Sequence, residues 1–239
     1  MDRNGFQKMF ENWATGNKLG EPIMTICEIL ALLMCLFYSI RTNIGKAFFA
    51  YILFDFVIAL FDYYLMYFSK APQKTKNNFI YGSNAWISAV ELWVYYYFFF
   101  RVIQNSIVKR IMKILLIIFT TVFVVLAIFK IYESDSIRYT SEIIGAAEFL
   151  FLLLPCFTYY FELLAIKTTE DLFKRPSFWI VTGIFFYSAI SIPYYLIGNF
   201  LQINNYHSQI VTFLMFYIPF SISFLFLTKA FLCKKILTN

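Results

Sequence analysis

Residues 47–68 read AFFAYILFDFVIALFDYYLMYF. At ~1.5 Å of rise per residue, such a helix covers the ~30 Å hydrocarbon core of a bilayer. The run holds no Lys or Arg. It predicts a transmembrane helix, because in lipid the backbone has to satisfy its own hydrogen bonds. Two aspartates, Asp55 and Asp62, interrupt it.

Working outward, six further apolar stretches occupy 22–40, 79–103, 111–131, 142–166, 178–200 and 208–232. The predicted fold class is therefore all-α: a polytopic membrane protein, a bundle of seven transmembrane helices forming one domain over 1–239. Composition agrees, with 61% hydrophobic and 22% aromatic residues and a mean hydropathy of +0.68. Only 14% are charged, against ~25% in an ordinary soluble domain. These values exclude a soluble globular or disordered chain. The net charge is +6 and the pI about 9.0, but the basic residues lie between apolar runs. They read as topology signals and lipid-phosphate contacts, with no role for nucleic acid.

The connections RTNIG, SKAPQKTKNN, QNSIVKR, YESDSIRYTS, KTTEDLFKRPS and QINNYH are short and polar. None is long enough to be a kinase, cyclase, nucleotide-binding or receiver domain, so any signal has to pass to a separate partner protein. The segment 1–21 is polar and lacks a cleavable signal pattern, which makes the first apolar run a span. Within it, Phe6, Met9, Phe10 and Trp13 fall on one helical face, the pattern of an interfacial helix or a lid over a cavity. With the N-terminus outside, twelve Lys and Arg residues fall on the inner side and eight on the outer. That bias predicts an N-out, C-in protein of the inner (cytoplasmic) membrane, with Lys234 and Lys235 as an inner-leaflet anchor. Lys70, Lys74 and Lys76 run against it.

A single histidine, His207, excludes HExxH proteases, multi-histidine desaturases and bis-histidine haem. Cys27, Cys35, Cys156 and Cys233 lie in or at the ends of apolar runs and form no CxxC, so they read as buried, inert thiols. With no nucleophile, phosphate or metal-ligand motif, the sequence predicts neither an enzyme nor a cofactor.

Three pairs of segments keep their order along the chain. EILALLMC (28–35) resembles EFLFLLLP (148–155), DYYL (62–65) resembles PYYL (193–196), and YGSN (81–84) resembles YHSQ (206–209). They suggest units 22–103 and 142–232 joined by span 111–131, a parallel 3+1+3 repeat. That plan is similar to PQ-loop and PnuC-type carriers and to microbial rhodopsins, whose motifs are missing. Lys229 lies too near the end of span 7 to hold retinal, and of the carrier prolines only Pro155 and Pro193 are present. Phe100-Arg101-Val102 and Tyr217-Ile218-Pro219-Phe220 likewise differ from the motifs of G-protein-coupled receptors. The stretch RPSFWIVTGIFFYS (175–188), closely after FELL (161–164), resembles a signature of small seven-transmembrane-helix proteins from Bacteroidota, some of which accompany histidine kinases. The resemblance implies a lineage and brings no site residues with it.

The most informative feature is acid inside the spans. Glu28, Asp55, Asp62, Glu91 and Glu148 lie away from span ends, with Glu142 and Glu162 nearer the interfaces, and no Lys or Arg lies at comparable depth. Ionisable groups in hydrocarbon are costly and mark function. Asp55 and Asp62 are seven apart and share a helical face, as do Asn84 and Glu91. The expected site is an acidic cavity open to the outside, formed by Glu28, Asp55, Asp62, Asn84, Glu91 and Glu148 and lined by Trp86, Trp93 and Tyr63, with Tyr64 and Tyr95 nearby. Such carboxylates hold a proton, or a cation takes the place of the missing basic partner. A proton, Na⁺, a divalent metal with oxygen ligands or a small amine all fit, and no particular metal is indicated. Acids bonded singly as helix-packing glue are the structural alternative. Pro155, Pro193 and Pro219 are expected to kink spans 5, 6 and 7. The YYYFFF run (95–100) is expected to pack against lipid and neighbouring helices. Three function classes follow: a sensor or receptor signalling through a partner, a small carrier or channel for a cation or amine, and a structural subunit of a membrane complex.

Overall fold

The computed structural model describes residues 20–39, 42–130, 136–165, 172–201 and 213–233. These form seven helices and, among the described residues, no strand. They are α1 (Gly20–Met34), α2 (Asn43–Tyr67), α3 (Gln73–Val102), α4 (Ser106–Lys130), α5 (Ser136–Ala165), α6 (Pro176–Leu201) and α7 (Ile218–Leu232). A π-helical turn, Cys35–Ser39, continues α1, another, Phe213–Tyr217, leads into α7, and a 3₁₀ turn, Leu172–Lys174, precedes α6.

Each helix overlaps one apolar stretch, but apolarity is uneven. Among the described residues, four segments are long and apolar enough to cross a membrane: Asn43–Leu65, Ile143–Ala165, Pro176–Tyr195 and Leu214–Leu232. Pro22–Tyr38 is a shorter apolar helix. Helices α3 and α4 are not among the four, where the sequence counted seven spans. Helix α3 opens on QKTKNN and contains Glu91, and the part of α4 whose side chains are described, 106–126, carries Lys109, Arg110 and Lys113 in its first two turns. By length and composition the chain is a multi-pass membrane protein.

The helices pack as α1–α2, α2–α3, α3–α5, α5–α6, α6–α7 and α7–α1, which closes a ring of six, while α4 leans on α5 and α3 from outside. The core is aromatic. Tyr95, Tyr96, Phe98 and Phe99 of α3 are buried, so the YYYFFF run is interior packing with little lipid contact. Phe48 sits 5.9 Å from the Tyr95 and Phe98 rings and 6.1 Å from Phe231. Such aromatic pairs contribute ~0.5–1.5 kcal/mol each beyond burial. Where α6 meets α7 the backbones nearly touch: a Cβ on Gly183 would lie 3.2 Å from the Ser223 carbonyl oxygen and 3.1 Å from Phe226 Cβ.

Local chemistry sets the helix ends. Thr42 caps α2 by accepting from Gly45 N at 2.9 Å, and Asn105 caps α4 by accepting from Ile107 N and Val108 N at 2.9 and 3.2 Å. Glu162 of α5 accepts from Gln104 N and Asn105 N at 2.9 and 2.7 Å, fastening the α3–α4 turn to α5. Pro155 and Pro193 lie inside α5 and α6. Pro219 stands in the first turn of α7, directly after the π-helical turn Phe213–Tyr217.

Candidate functional site

Four helices each bring one carboxylate into the core. Glu28 of α1 and Glu148 of α5 are 0% exposed, Glu91 of α3 is 3% and Asp55 of α2 is 4%. Asp55 is the hub. It lies close enough to Asp62, Glu28, Glu91 and Glu148 for their charges to be felt, and Glu148 and Glu91 also face each other.

These acids are poorly partnered. Both oxygens of Glu28, both of Glu148, Oδ2 of Asp55 and Oε1 of Glu91 are buried without a hydrogen bond. The Tyr51 and Tyr95 hydroxyls approach Glu91, and Ser88 approaches Glu148, yet the Tyr51 hydroxyl is itself unbonded. Each unsatisfied buried polar group costs ~1–3 kcal/mol, and more if charged. The stretches that carry the acids supply no basic side chain: no Lys or Arg occurs in 19–40, 47–69, 77–100 or 139–166, and the basic residues of α2, α3 and α5 lie nearer the helix ends. Nor do three or more His, Cys, Asp or Glu side chains converge as a metal-ligand set among the described residues. The arrangement suits a small, single charge, a proton above all, better than a multidentate metal.

Asp62 lies at the margin, half-buried, with Ser83 Oγ of α3 donating at 3.3 Å to Oδ2. That hydroxyl also lies 2.9 Å from the Ile80 carbonyl oxygen.

Among the described residues, Glu28, Asp55, Glu91 and Glu148 are enclosed by the helices. The groove between α1 and α7, lined by Ile23, Cys27, Tyr217, Ile218, Ser221 and Leu225 among others, is apolar and contains none of the carboxylates. The expected aromatic lining is also elsewhere. Trp86, Trp93 and Tyr63 are 47%, 40% and 52% exposed on the outer surface, and Asn84 is exposed as well. At ~100° per residue, Trp93 points ~200° and Trp86 ~140° away from Glu91 around α3. Both tryptophans clasp α4: Trp93 Nε1 donates to Thr120 Oγ1 at 3.0 Å, and the Trp86 ring stands edge-on to Phe123 at 4.9 Å. Tyr63 packs on Phe68. Asn84 shares the Glu91 stripe but lies two turns nearer the start of α3.

Two residues of the site, Tyr51 and Tyr187, escaped sequence reading, while Tyr95, expected near it, does approach Glu91. Tyr51 is one turn before Asp55, and Tyr95 one turn after Glu91, so helical spacing marks both. Tyr187 of α6 faces Glu91, Glu148 and Tyr95, and only tertiary packing brings it there. Its ring rests on Phe149 at 4.8 Å. Glu162 is a backbone clamp. The side chain of Glu142, the face 6–13 and His207 lie outside the described residues. Compared with protein-family models, with curated proteins and with solved structures, the chain matches none of them.

Proposed function

We propose that the chain is a seven-span, N-out, C-in protein of the cytoplasmic membrane. In this reading its buried carboxylates bind protons, or a monovalent cation in their place, and report the charge state as a change in helix packing. The observation that carries this is the set of four under-partnered carboxylates, each on a different helix of the ring. A charge developing in such a core costs several kcal/mol. That is enough to alter how α1, α2, α3 and α5 pack, and so to move their ends. The short connections hold no output domain, so a separate partner protein at the inner face receives the signal. An amine is less well supported than a proton, because Trp86, Trp93 and Tyr63, expected to hold one, face outward.

The ring supports the 3+1+3 repeat as well. Exchanging α1, α2, α3 for α5, α6, α7 maps its contacts onto themselves, and Glu28 and Glu148, matched in the sequence repeat, are both fully buried with both oxygens unpartnered. A carrier is the second reading, favoured by the stepped depths of Asp62, Asp55 and Glu91 along α2 and α3.

The test is infrared spectroscopy of the carboxylic C=O band in nanodiscs across a pH titration. Asp55→Asn and Glu91→Gln are each expected to remove part of a pH-dependent band. If neither variant altered the spectrum, proton binding by this cluster would be lost. Proton flux into liposomes separates carrier from sensor.

A further inference from the structure

We infer that the carboxylate core exchanges protons with one face of the membrane only, through the Asp62–Ser83 pair at the α2–α3 turn, and that an aromatic plug of Phe48, Phe98 and Phe231 closes it toward the other. The inference rests on the proton-binding function proposed above and adds its direction.

The heptad geometry of α2 and α3 carries it. Along α2, Phe48, Asp55 and Asp62 recur at intervals of seven, close to one stripe of the helix. Along α3, Glu91 and Phe98 share a stripe, with Ser83 two turns before Glu91. Two turns toward the α2–α3 turn, both helices present polar groups: Asp62 is half-buried and hydrogen-bonded to Ser83 at 3.3 Å. Two turns the opposite way, both present phenylalanine: Phe48 and Phe98 are buried with rings 5.9 Å apart. Phe231 of α7 closes on Phe48 at 6.1 Å, and Phe99 stands edge-on to Phe98 at 5.4 Å.

The middle layer is where a proton would reside. The groups facing Asp55 are Asp62 and Tyr51 on its own helix, Glu28 on α1, Glu91 on α3 and Glu148 on α5. Tyr187 of α6 faces Glu91 and Glu148. The Tyr51 hydroxyl is buried, has no hydrogen-bond partner and approaches Glu91 from the helix that carries Asp55. It stands on the Asp55 helix one turn from that acid and on the Glu91 side. Asp62 is the one acid of the set that is not fully buried, and it sits on the stripe that leads to Asp55.

The experiment uses the protein in liposomes with a single orientation. Proton uptake is followed by the carboxyl infrared band after a pH jump on either face. In the wild type, uptake is expected to be at least about tenfold faster from the face of the α2–α3 turn than from the other. Asp62→Asn should slow that fast uptake by about tenfold or more while leaving the amplitude due to Asp55 and Glu91. Ser83→Ala, which keeps every charge in place, should slow it less. Phe98→Leu should speed uptake from the opposite face, with Phe48→Leu as a second opening of the plug if the first fails to fold. Equal rates from the two faces, or an Asp62→Asn rate equal to wild type, would overturn the one-sided route while leaving proton binding intact. Absence of any pH-dependent carboxyl band would instead remove the proton-binding function itself, and the route with it.

Discussion

The two halves of the ring solve different problems. Helices α1–α3 hold three of the four buried carboxylates, whereas α5–α7 hold one, Glu148; each half also carries a half-buried acid, Asp62 in α2 and Glu162 in α5. The second half is built on close approach. Its α6–α7 and α5–α6 contacts are the most extensive in the molecule, and α1–α2 is among the slighter ones in the ring. Gly145 and Gly183 admit neighbouring groups where a side chain would collide. In lipid no hydrophobic force drives helices together, so close packing by small residues does that work. The acid-rich half lacks such packing and buries groups that are stable only in one charge state. The comparison makes α5–α7 the more closely packed half and α1–α3 the half richer in buried acid.

The largest effect that would break this contrast is at Gly183. Gly183→Ala forces a methyl against the α7 backbone, and overpacking of this kind costs ~1–3 kcal/mol. A lowered unfolding midpoint in detergent is expected, and an unchanged one would remove the tight-half description. Gly145→Ala should cost less, because the group it meets is the edge of the Tyr195 side chain at 2.9 Å and not backbone.

Next is Glu162→Ala, which strips two backbone N–H groups of their acceptor at the α3–α4 turn. A loss of ~1–2 kcal/mol is expected, with Glu162→Gln keeping part of it. The readout is the same midpoint, together with faster hydrogen exchange at Gln104 and Asn105.

Smaller still, Glu28→Gln and Glu148→Gln replace a chargeable group by a neutral one of similar shape in sites with no donor. Stability is expected to stay within ~1 kcal/mol of wild type or to rise, while the pH-dependent carboxyl signal shrinks. A large loss of stability from either would return both acids to a packing role. The smallest effect belongs to Trp93→Phe. Losing the 3.0 Å bond to Thr120 should cost at most ~1 kcal/mol and loosen α4 without touching proton uptake. Altered uptake would bring Trp93 back into the site from the outer face where the structure places it.

Helices α3 and α4 show how hydropathy misleads. Helix α3 is interrupted by Glu91 and opens on QKTKNN, yet Leu92, Tyr96, Phe98 and Phe99 are wholly buried. Helix α4 is more apolar on average, yet turns Ile107, Ile114, Ile117 and Val122 outward. A helix surrounded by other helices tolerates polar groups that lipid would not, so apolarity reports contact with lipid more than centrality. Reading α3 by angle as well as composition separates Trp86 and Trp93 from Glu91.

By itself the sequence determined that the backbone is helical, where each helix falls and which side chains are anomalous, because those follow from length, apolarity and the absence of Lys and Arg near the acids. Tertiary structure decided that the four acids are buried together among the helices, that Tyr187 joins them and that Glu162 clamps a turn 57 residues away. It also placed α4 outside the ring. The physical reason is that helix spacing fixes only which residues share a stripe. Which stripe faces which depends on how seven helices divide the available contacts, and that is set by small residues, aromatic rings and buried polar groups acting across the whole bundle.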